Sequence, residues 1–301
     1  MPSVPPVLKS TSPIDVVPAT LAAALRWAVE RLQSGGSAQP RREAVDIWAR
    51  VTETDPARAV TAGDRSIEDD EWEGFCRAIE ERVAGKPPAY ATGLTGFRRL
   101  DLRVGPAVLI PRPETEGLVQ QVLDWAETEG RRGVAVDIGT GSGCIALSLA
   151  VEGSFARILA TDVSDEILGV ARENLDRIRP DTPVDLRRGE FFAPLEGEPV
   201  DVIVANPPYV TPDEFEGLEE SVRLHEPRSA LVSDEGGMRH TRLLLEGAAE
   251  RLGPGGLLAL EIDAQRGDRV LELAGQCGWE ARIEEDIFGR PRYLVATAPI
   301  P

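Results

Sequence analysis

Hydrophobic residues follow two different spacings along this chain, and the spacing changes near residue 87. Between residues 20 and 85 they recur every three or four positions, as in Trp72, Phe75 and Ile79. This is the period of amphipathic helices, and Gly and Pro interrupt it, so we predict a small helical bundle over residues 19–86 that serves to dock a partner. Prolines crowd residues 1–18, where they disfavour helix, so this segment is expected to be a flexible tail.

Over residues 87–115 the pattern shortens to runs rich in Gly, Leu and Val. Phe97, Leu100, Leu102 and Val104 stand in near alternation, which predicts a β-hairpin linker between two domains. A helical period then runs from Glu114 to about residue 128.

Four short, continuous apolar runs follow at 134–138, 158–161, 202–205 and 257–262, each ended by turn residues. Continuous runs of this length are typical of strands that are buried on both faces of a parallel sheet. Because helical periods lie between them, we predict a doubly wound, Rossmann-like α/β domain over residues 116–301. The segments 282–286 and 293–297 predict a terminal antiparallel hairpin.

Composition limits the classes of partner. Asp and Glu number 51 against 33 Lys and Arg, a net charge of -18 that disfavours a phosphate-binding surface, so no nucleic acid partner is expected. The three cysteines form no Cys-x-x-Cys pair, and His225 and His240 lack metal-ligand spacing and a convincing partner. We therefore expect no disulfide or metal site, and surface or helix positions for both histidines. No apolar run is long enough to span a membrane, so a cytoplasmic location is expected.

A glycine-rich turn directly follows the first predicted strand. Cofactors bind at the carboxyl ends of strands in doubly wound sheets, so this turn predicts a cofactor site. Nicotinamide and flavin enzymes use similar turns, but the dinucleotide pattern has Gly or Ala where this chain has Cys144. The expected cofactor-binding residues here are Asp137, Gly139, Thr140, Gly141, Ser142 and Gly143.

Three further residues follow the next two strands. Asp162, 23 positions after Gly139, is placed to accept hydrogen bonds from two ribose hydroxyls, and Glu190 and Phe191 fall where an adenine ring would stack on an aromatic face. Taken alone, Asp162 is equally a helix cap and Phe191 equally a core residue. The ordered series of glycine turn, acid and aromatic favours S-adenosylmethionine over a dinucleotide.

Another candidate feature follows an apolar strand: the segment Asn206, Pro207, Pro208 and Tyr209. Its prolines have no N–H, so the loop offers stiff backbone and carbonyl acceptors. The Asn206 oxygen and the Pro207 carbonyl are each expected to accept a hydrogen bond from a planar NH2 group, while the Tyr209 ring covers that group. Asn206 therefore belongs to both the cofactor-binding and the catalytic set, and the catalysis expected is orientation and electrostatic support.

These residues predict an S-adenosylmethionine-dependent methyltransferase that acts on an amide-type nitrogen. They do not distinguish a glutamine side chain from a nucleobase, so a nucleic-acid adenine-N(6) or guanine-N(2) methyltransferase is an alternative. A second alternative is an interaction module that binds S-adenosylmethionine without turnover.

Beyond its tail, nearly the whole chain resembles the peptide chain release factor N(5)-glutamine methyltransferase family, also called the PrmC or HemK family. The Pro-Arg-Pro-Glu-Thr-Glu stretch is more discriminating than the glycine turn, since nucleic-acid amino-methyltransferases share that turn and the Asn-Pro-Pro-Tyr loop. The matching segments are 85–90, 109–116, 137–143, 206–209 and 226–231, together with Asp162.

The resemblance implies a helical N-terminal domain, a hairpin linker and a methyltransferase domain. It also implies that the substrate is the glutamine of the Gly-Gly-Gln loop in bacterial class 1 release factors, held by residues 206–209, with S-adenosyl-L-homocysteine as the product. The chain departs from the usual family pattern at Glu190, often Asp, at Asp263, often Gly, and at Ala91 and Thr92.

Overall fold

The computed structural model describes residues 17–298 apart from 196, 198 and 199. The expected tail lies outside the described residues except for Val17 and Pro18. Contacts divide the chain into two units, residues 1–94 and 95–301.

The first unit is the helical bundle that the 3.6-residue period predicts. Thr20 caps its first helix by accepting a hydrogen bond from the Ala23 amide, at 3.3 Å, and the apolar faces meet around the buried rings of Trp48, Trp72 and Phe75. The helices are α1 (Leu21–Ser34), α2 (Pro40–Val51), α3 (Pro56–Thr61), α4 (Asp69–Val83) and α5 (Pro88–Thr92).

A two-stranded hairpin, β1 (Leu94–Phe97) and β2 (Leu100–Arg103), follows α5. The hairpin lies within residues 87–115, the segment predicted to form it, but residues 88–92 of that segment form helix α5. Pro88 stands in the first turn of that helix, where its missing N–H costs nothing, and Gly93 ends it with a φ of 70°.

The rest of the second unit is a sheet of seven strands among the described residues, in the order β5-β4-β3-β6-β7-β9-β8. Strands β3 to β7 pair in parallel, and β9 pairs antiparallel with both β7 and β8. The predicted doubly wound α/β fold is confirmed. Its elements in chain order are α6 (Pro113–Thr128), β3 (Val134–Ile138), α7 (Cys144–Glu152), β4 (Arg157–Asp162), α8 (Asp165–Ile178), β5 (Val184–Arg188), β6 (Val200–Ala205), α9 (Pro212–Glu216), α10 (Glu220–Arg223), α11 (Asp234–Gly237), α12 (Arg239–Ala248), β7 (Leu252–Glu261), α13 (Gly267–Gln276), β8 (Glu280–Glu285) and β9 (Pro291–Thr297).

Both faces of this sheet are buried, which explains why its central strands are continuous apolar runs. In β6, Ile203 packs into the core cluster on one face, and Val202 and Val204 pack into the cluster on the other. Successive side chains of a strand point to opposite faces, so a strand that is covered on both sides needs apolar residues at every position.

The strand order places a switch point between β3 and β6. From β3 the chain proceeds to β4 on one side and later returns to β6 on the other, where Val136 is paired with Ile203. The segments that follow β3 and β6 therefore emerge side by side at the carboxyl edge of the sheet, where α/β proteins bind ligands. A search of the described helices finds none with the length and apolarity that crossing a membrane requires.

Candidate functional site

The turn after β3 is built on left-handed glycines. Gly139, Gly141 and Gly143 have φ values of 75°, 57° and 83°, a region that L side chains rarely adopt. The amides of Gly139 and Thr140 both donate to the Thr161 carbonyl, at 2.9 Å each, which fastens the turn to the end of β4. A Cβ atom added at Gly139 or Gly141 would meet no protein atom within 4 Å, so the backbone here faces open space.

Asp137 lies behind the turn and is fully buried. Its Oδ2 accepts hydrogen bonds from the Thr140 hydroxyl, at 2.6 Å, and from the Ala146 amide, at 3.1 Å. Burial raises the pKa of Asp137 to about 7, although both hydrogen bonds oppose this rise. The side chain thus ties the turn to the start of α7 and does not line the pocket in front of it.

Asp162 ends β4 beside the same turn. Its Oδ2 accepts from the Gly141 amide at 3.0 Å, and its Oδ1 accepts from the Val163 amide at 2.8 Å. Burial raises its pKa, while these backbone donors act in the opposite direction. Backbone donors therefore hold the carboxylate at the pocket wall.

Glu190 and Phe191 follow β5 and line the same pocket. Phe191 has a φ of 46°, and its half-buried ring packs against that of His240 with centroids 5.8 Å apart. Ser233 Oγ lies 2.7 Å from His240 Nδ1, and burial lowers the pKa of this histidine. Glu190 is exposed at the rim.

The loop after β6 is held through two buried side chains. The Asn206 amide Nδ2 donates to Thr115 Oγ1 at 3.1 Å, and the Thr115 hydroxyl donates to Glu261 Oε2 at 2.7 Å. The Tyr209 hydroxyl donates to the other oxygen, Oε1, of Glu261 at 3.3 Å. Burial raises the pKa of Glu261, against the effects of Thr115, Tyr209 and the charge of Arg292.

A second carboxylate joins two further segments of the site. Glu226 Oε1 lies 2.5 Å from Arg112 Nη2, and Oε2 accepts from the Ile110 amide at 3.2 Å. Arg112 lines the pocket, and Glu226 is buried behind it. The segments 109–116 and 226–231, both part of the family resemblance, therefore meet here.

One pocket brings most of the predicted site residues together. Asp137 and Gly143 are adjacent to it but do not line it, and neither does Tyr209, which is bonded to Glu261. Asp263, one of the departures from the family pattern, also lies outside the lining and pairs with Arg266. The predicted residues that line the pocket are Gly139, Thr140, Gly141, Ser142, Asp162, Glu190, Phe191, Asn206, Pro207 and Pro208.

Several residues of the site were not assigned a role from the sequence, among them Thr115, Glu261, Arg112 and His240. Thr115 and Glu261 support Asn206, Arg112 forms part of the wall, and His240 faces the pocket from α12. The expectation of a helix position for His240 agrees with the structure, but its ring is half-buried at the pocket and bonded to Ser233. The Pro-Arg-Pro-Glu-Thr-Glu stretch was a signal for Arg112 and Thr115, whereas the sequence around His240 held none.

Comparisons with known proteins match a separate family model to each of the two units. Residues 23–93 match the family model described as PrmC N-terminal domain, and residues 115–227 match the one described as methyltransferase small domain. A solved methyltransferase from Pyrococcus furiosus is 25% identical, with a TM-score of 0.50, and the match covers 67% of this chain and 90% of that one. The expected methyltransferase domain with a Rossmann-like α/β fold is thereby confirmed.

Two curated relatives match along almost their whole length. The release factor glutamine methyltransferase of Moorella thermoacetica is 42% identical over 279 residues, which are 92% of this chain and 98% of the relative. That of Koribacter versatilis is 36% identical over 282 residues, 93% of this chain and 99% of the relative. The chain is an enzyme of the protein-(glutamine-N5) methyltransferase class and belongs to the release factor glutamine methyltransferase family.

Proposed function

We propose that this enzyme transfers a methyl group from S-adenosylmethionine to the side-chain amide nitrogen of the glutamine in the Gly-Gly-Gln loop of bacterial class 1 release factors. One observation carries the proposal: the Asn-Pro-Pro segment and the glycine turn line the same pocket, on neighbouring strands β6 and β3. Release factors act on ribosomes, so the proposed reaction takes place in the cytoplasm.

The residues around the glycine turn fit S-adenosylmethionine. Gly139 and Gly141 leave open space where a side chain would stand, which allows a ligand to approach the backbone. Asp162 presents a fixed carboxylate for ribose hydroxyls, and Phe191 presents a ring face for adenine. When bound, this cofactor supplies an electrophilic methyl group.

The loop after β6 fits a planar amide. Pro207 and Pro208 line the pocket without N–H donors, so this part of the wall offers acceptors to the NH2 group. The Asn206 amide uses its nitrogen toward Thr115, which leaves its oxygen as an acceptor for the substrate. We propose that these acceptors orient the amide nitrogen and stabilise the positive charge that develops on it as the new N–C bond forms.

Charge argues against the nucleic-acid alternative. Arg98, between β1 and β2, and Arg112, in the pocket wall, are both paired with carboxylates, since Arg98 Nε lies 2.7 Å from Glu152 and Arg112 Nη2 lies 2.5 Å from Glu226. A phosphate-binding surface needs cations that can replace counterions. The close relatives are also named for a release factor substrate and not for a nucleic acid.

The proposal is tested by incubating the purified enzyme with methyl-labelled S-adenosylmethionine and a release factor. We expect label on the release factor, none when its Gly-Gly-Gln glutamine is replaced by Ala, and a loss of roughly 100-fold or more in rate for Asn206→Ala. Gln276→Ala, which removes an exposed amide at the end of α13, is the matched control and should keep the parent rate. If the release factor whose Gly-Gly-Gln glutamine is replaced by Ala were labelled as strongly as the unchanged release factor, the proposal would be contradicted.

A further inference from the structure

One buried carboxylate binds one end of the Asn-Pro-Pro-Tyr loop directly and the other end through Thr115. Glu261, at the end of β7, accepts from Thr115 with one oxygen and from Tyr209 with the other, and Thr115 in turn accepts from Asn206. Thr115 and Glu261 are 2% and 1% exposed, so water does not compete for these bonds. Helix α6, the loop after β6 and strand β7 contribute to this chain of bonds.

The chain of bonds has a direction. A threonine hydroxyl has one hydrogen and two lone pairs, and the two Glu261 oxygens accept from Thr115 and Tyr209. Because the Thr115 hydrogen is directed to Glu261, the Thr115 oxygen is left to accept, and the group of Asn206 that faces it must be the NH2. The Asn206 oxygen is then turned away from Thr115, on a residue that lines the pocket.

We propose that Glu261 and Thr115 are positioning residues that fix the orientation of the Asn206 amide, so that its oxygen and not its nitrogen meets the substrate NH2. An Asn206 amide rotated by half a turn would set its own NH2 against that of the substrate. The proposal rests on the proposed function, since it concerns how the same loop discriminates an amide donor. The second Glu261 oxygen holds Tyr209, so the acceptor and the aromatic cover of the loop share one anchor.

Two isosteric changes test the direction of the bonds. Thr115→Val removes the acceptor for Asn206, and Glu261→Gln supplies an NH2 that can donate to Thr115 and so free the Thr115 hydrogen to face Asn206. We expect each to lower kcat on the release factor by roughly 10–100-fold, with the cofactor Kd from calorimetry within about threefold of the parent. Thr115→Ser keeps the hydroxyl and should restore the parent kcat to within about threefold.

Two controls separate positioning from folding. Thr128→Val and Glu127→Gln change the same residue types at the exposed end of the same helix, α6, and should leave kcat unchanged. In an Asn206→Ala background, Thr115→Val should lower the residual rate no further, because its effect passes through the missing amide. The proposal would be overturned if the losses of Asn206→Ala and Thr115→Val multiplied in the double variant. It would also be overturned if folded Thr115→Val and Glu261→Gln kept kcat within twofold of the parent.

A readout without turnover keeps this inference distinct from the proposed function. The side-chain NH2 signal of Asn206, assigned in nitrogen-15 NMR spectra by its loss in Asn206→Ala, should exchange with solvent slowly in the parent and at least about tenfold faster in Thr115→Val. Unchanged exchange would overturn the orientation even if the release factor is methylated. Slow exchange that Thr115→Val removes would support it even if another substrate is found.

Discussion

The guanidinium of Arg112 and the carboxylate of Glu226 form an ion pair across 114 positions of sequence, with Arg112 Nη2 2.5 Å from Glu226 Oε1. The Glu226 side chain is 1% exposed, whereas that of Arg112 is 33% exposed. The pair, with the Ile110 amide on the second carboxylate oxygen, joins the wall before α6 to the segment after α10.

Removing the cation should be costly, because the buried Glu226 carboxylate would keep only the Ile110 amide. We predict that Arg112→Ala lowers the free energy of unfolding by about 1–3 kcal/mol, less than for a fully buried pair because Arg112 is partly solvated. Urea unfolding measures this value. Arg99→Ala is the control, since Arg99 is 78% exposed and lies 3.6 Å from its partner Glu152. Equal unfolding curves for the two variants would count against a structural role for the Arg112 pair.

Asp162 tests the cofactor half of the site. We predict that Asp162→Ala weakens S-adenosylmethionine binding by about 10–100-fold, because two charge-assisted hydrogen bonds to the ribose would be lost. Calorimetry measures the Kd. Asp165→Ala removes a carboxylate three residues away that is 75% exposed and should bind like the parent. An unchanged Kd for Asp162→Ala would remove Asp162 from the site.

Two Gly→Ala substitutions, one in the glycine turn and one in helix α8, test whether the cofactor binds against the turn. Gly139 has a φ of 75°, so Gly139→Ala should cost about 1–2 kcal/mol of stability and place a methyl group in the space proposed for the cofactor. We expect its Kd for S-adenosylmethionine to rise at least about tenfold. Gly169→Ala, in the exposed face of α8, should instead add about 0.5–1 kcal/mol and leave the Kd unchanged. If Gly139→Ala bound S-adenosylmethionine with the parent Kd, the cofactor would not lie against the backbone at residue 139.

Asp137 makes the stability depend on pH. Burial raises its pKa from 3.8 to about 7, so between about pH 4 and pH 7 the native state keeps a proton that the unfolded chain releases. Its contribution to stability is therefore lost progressively as pH rises through this window. We predict that the stability of Asp137→Asn relative to the parent increases from pH 4 to pH 7, as measured by urea unfolding at a series of pH values. Parallel pH profiles for the two proteins would show that Asp137 has the same pKa in the native and the unfolded chain.

Much of the fold could be predicted because burial on both faces leaves a clear trace in the sequence. The continuous runs at 134–138 and 202–205 coincide with β3 and with most of β6. Strand β7 begins at Leu252, five residues before the predicted run, because Gly253, Pro254 and the two following glycines hide its start. The insertion of β9 between β7 and β8 could not be foreseen, since local pattern carries no information on which strands pair.

Some residues of the candidate site could likewise be predicted from the sequence, and others could not. Residues that follow strands, such as Asp162 and Asn206, could be placed because parallel strands end at one edge. The Thr115–Glu261 contact joins positions 146 residues apart and depends on how α6 packs against the sheet, and His240 reaches the pocket only through the rotation of α12 about its axis. Neither arrangement follows from spacing along the chain.

The most direct test of the central claim is to locate the transferred methyl group. The enzyme is incubated with S-adenosylmethionine and an equimolar mixture of a release factor, transfer RNA, ribosomal RNA and DNA, and the products are digested and analysed by tandem mass spectrometry. We predict one added methyl group on the side-chain nitrogen of the Gly-Gly-Gln glutamine and unmodified nucleosides. Methylated adenine or guanine with an unmodified release factor would contradict it.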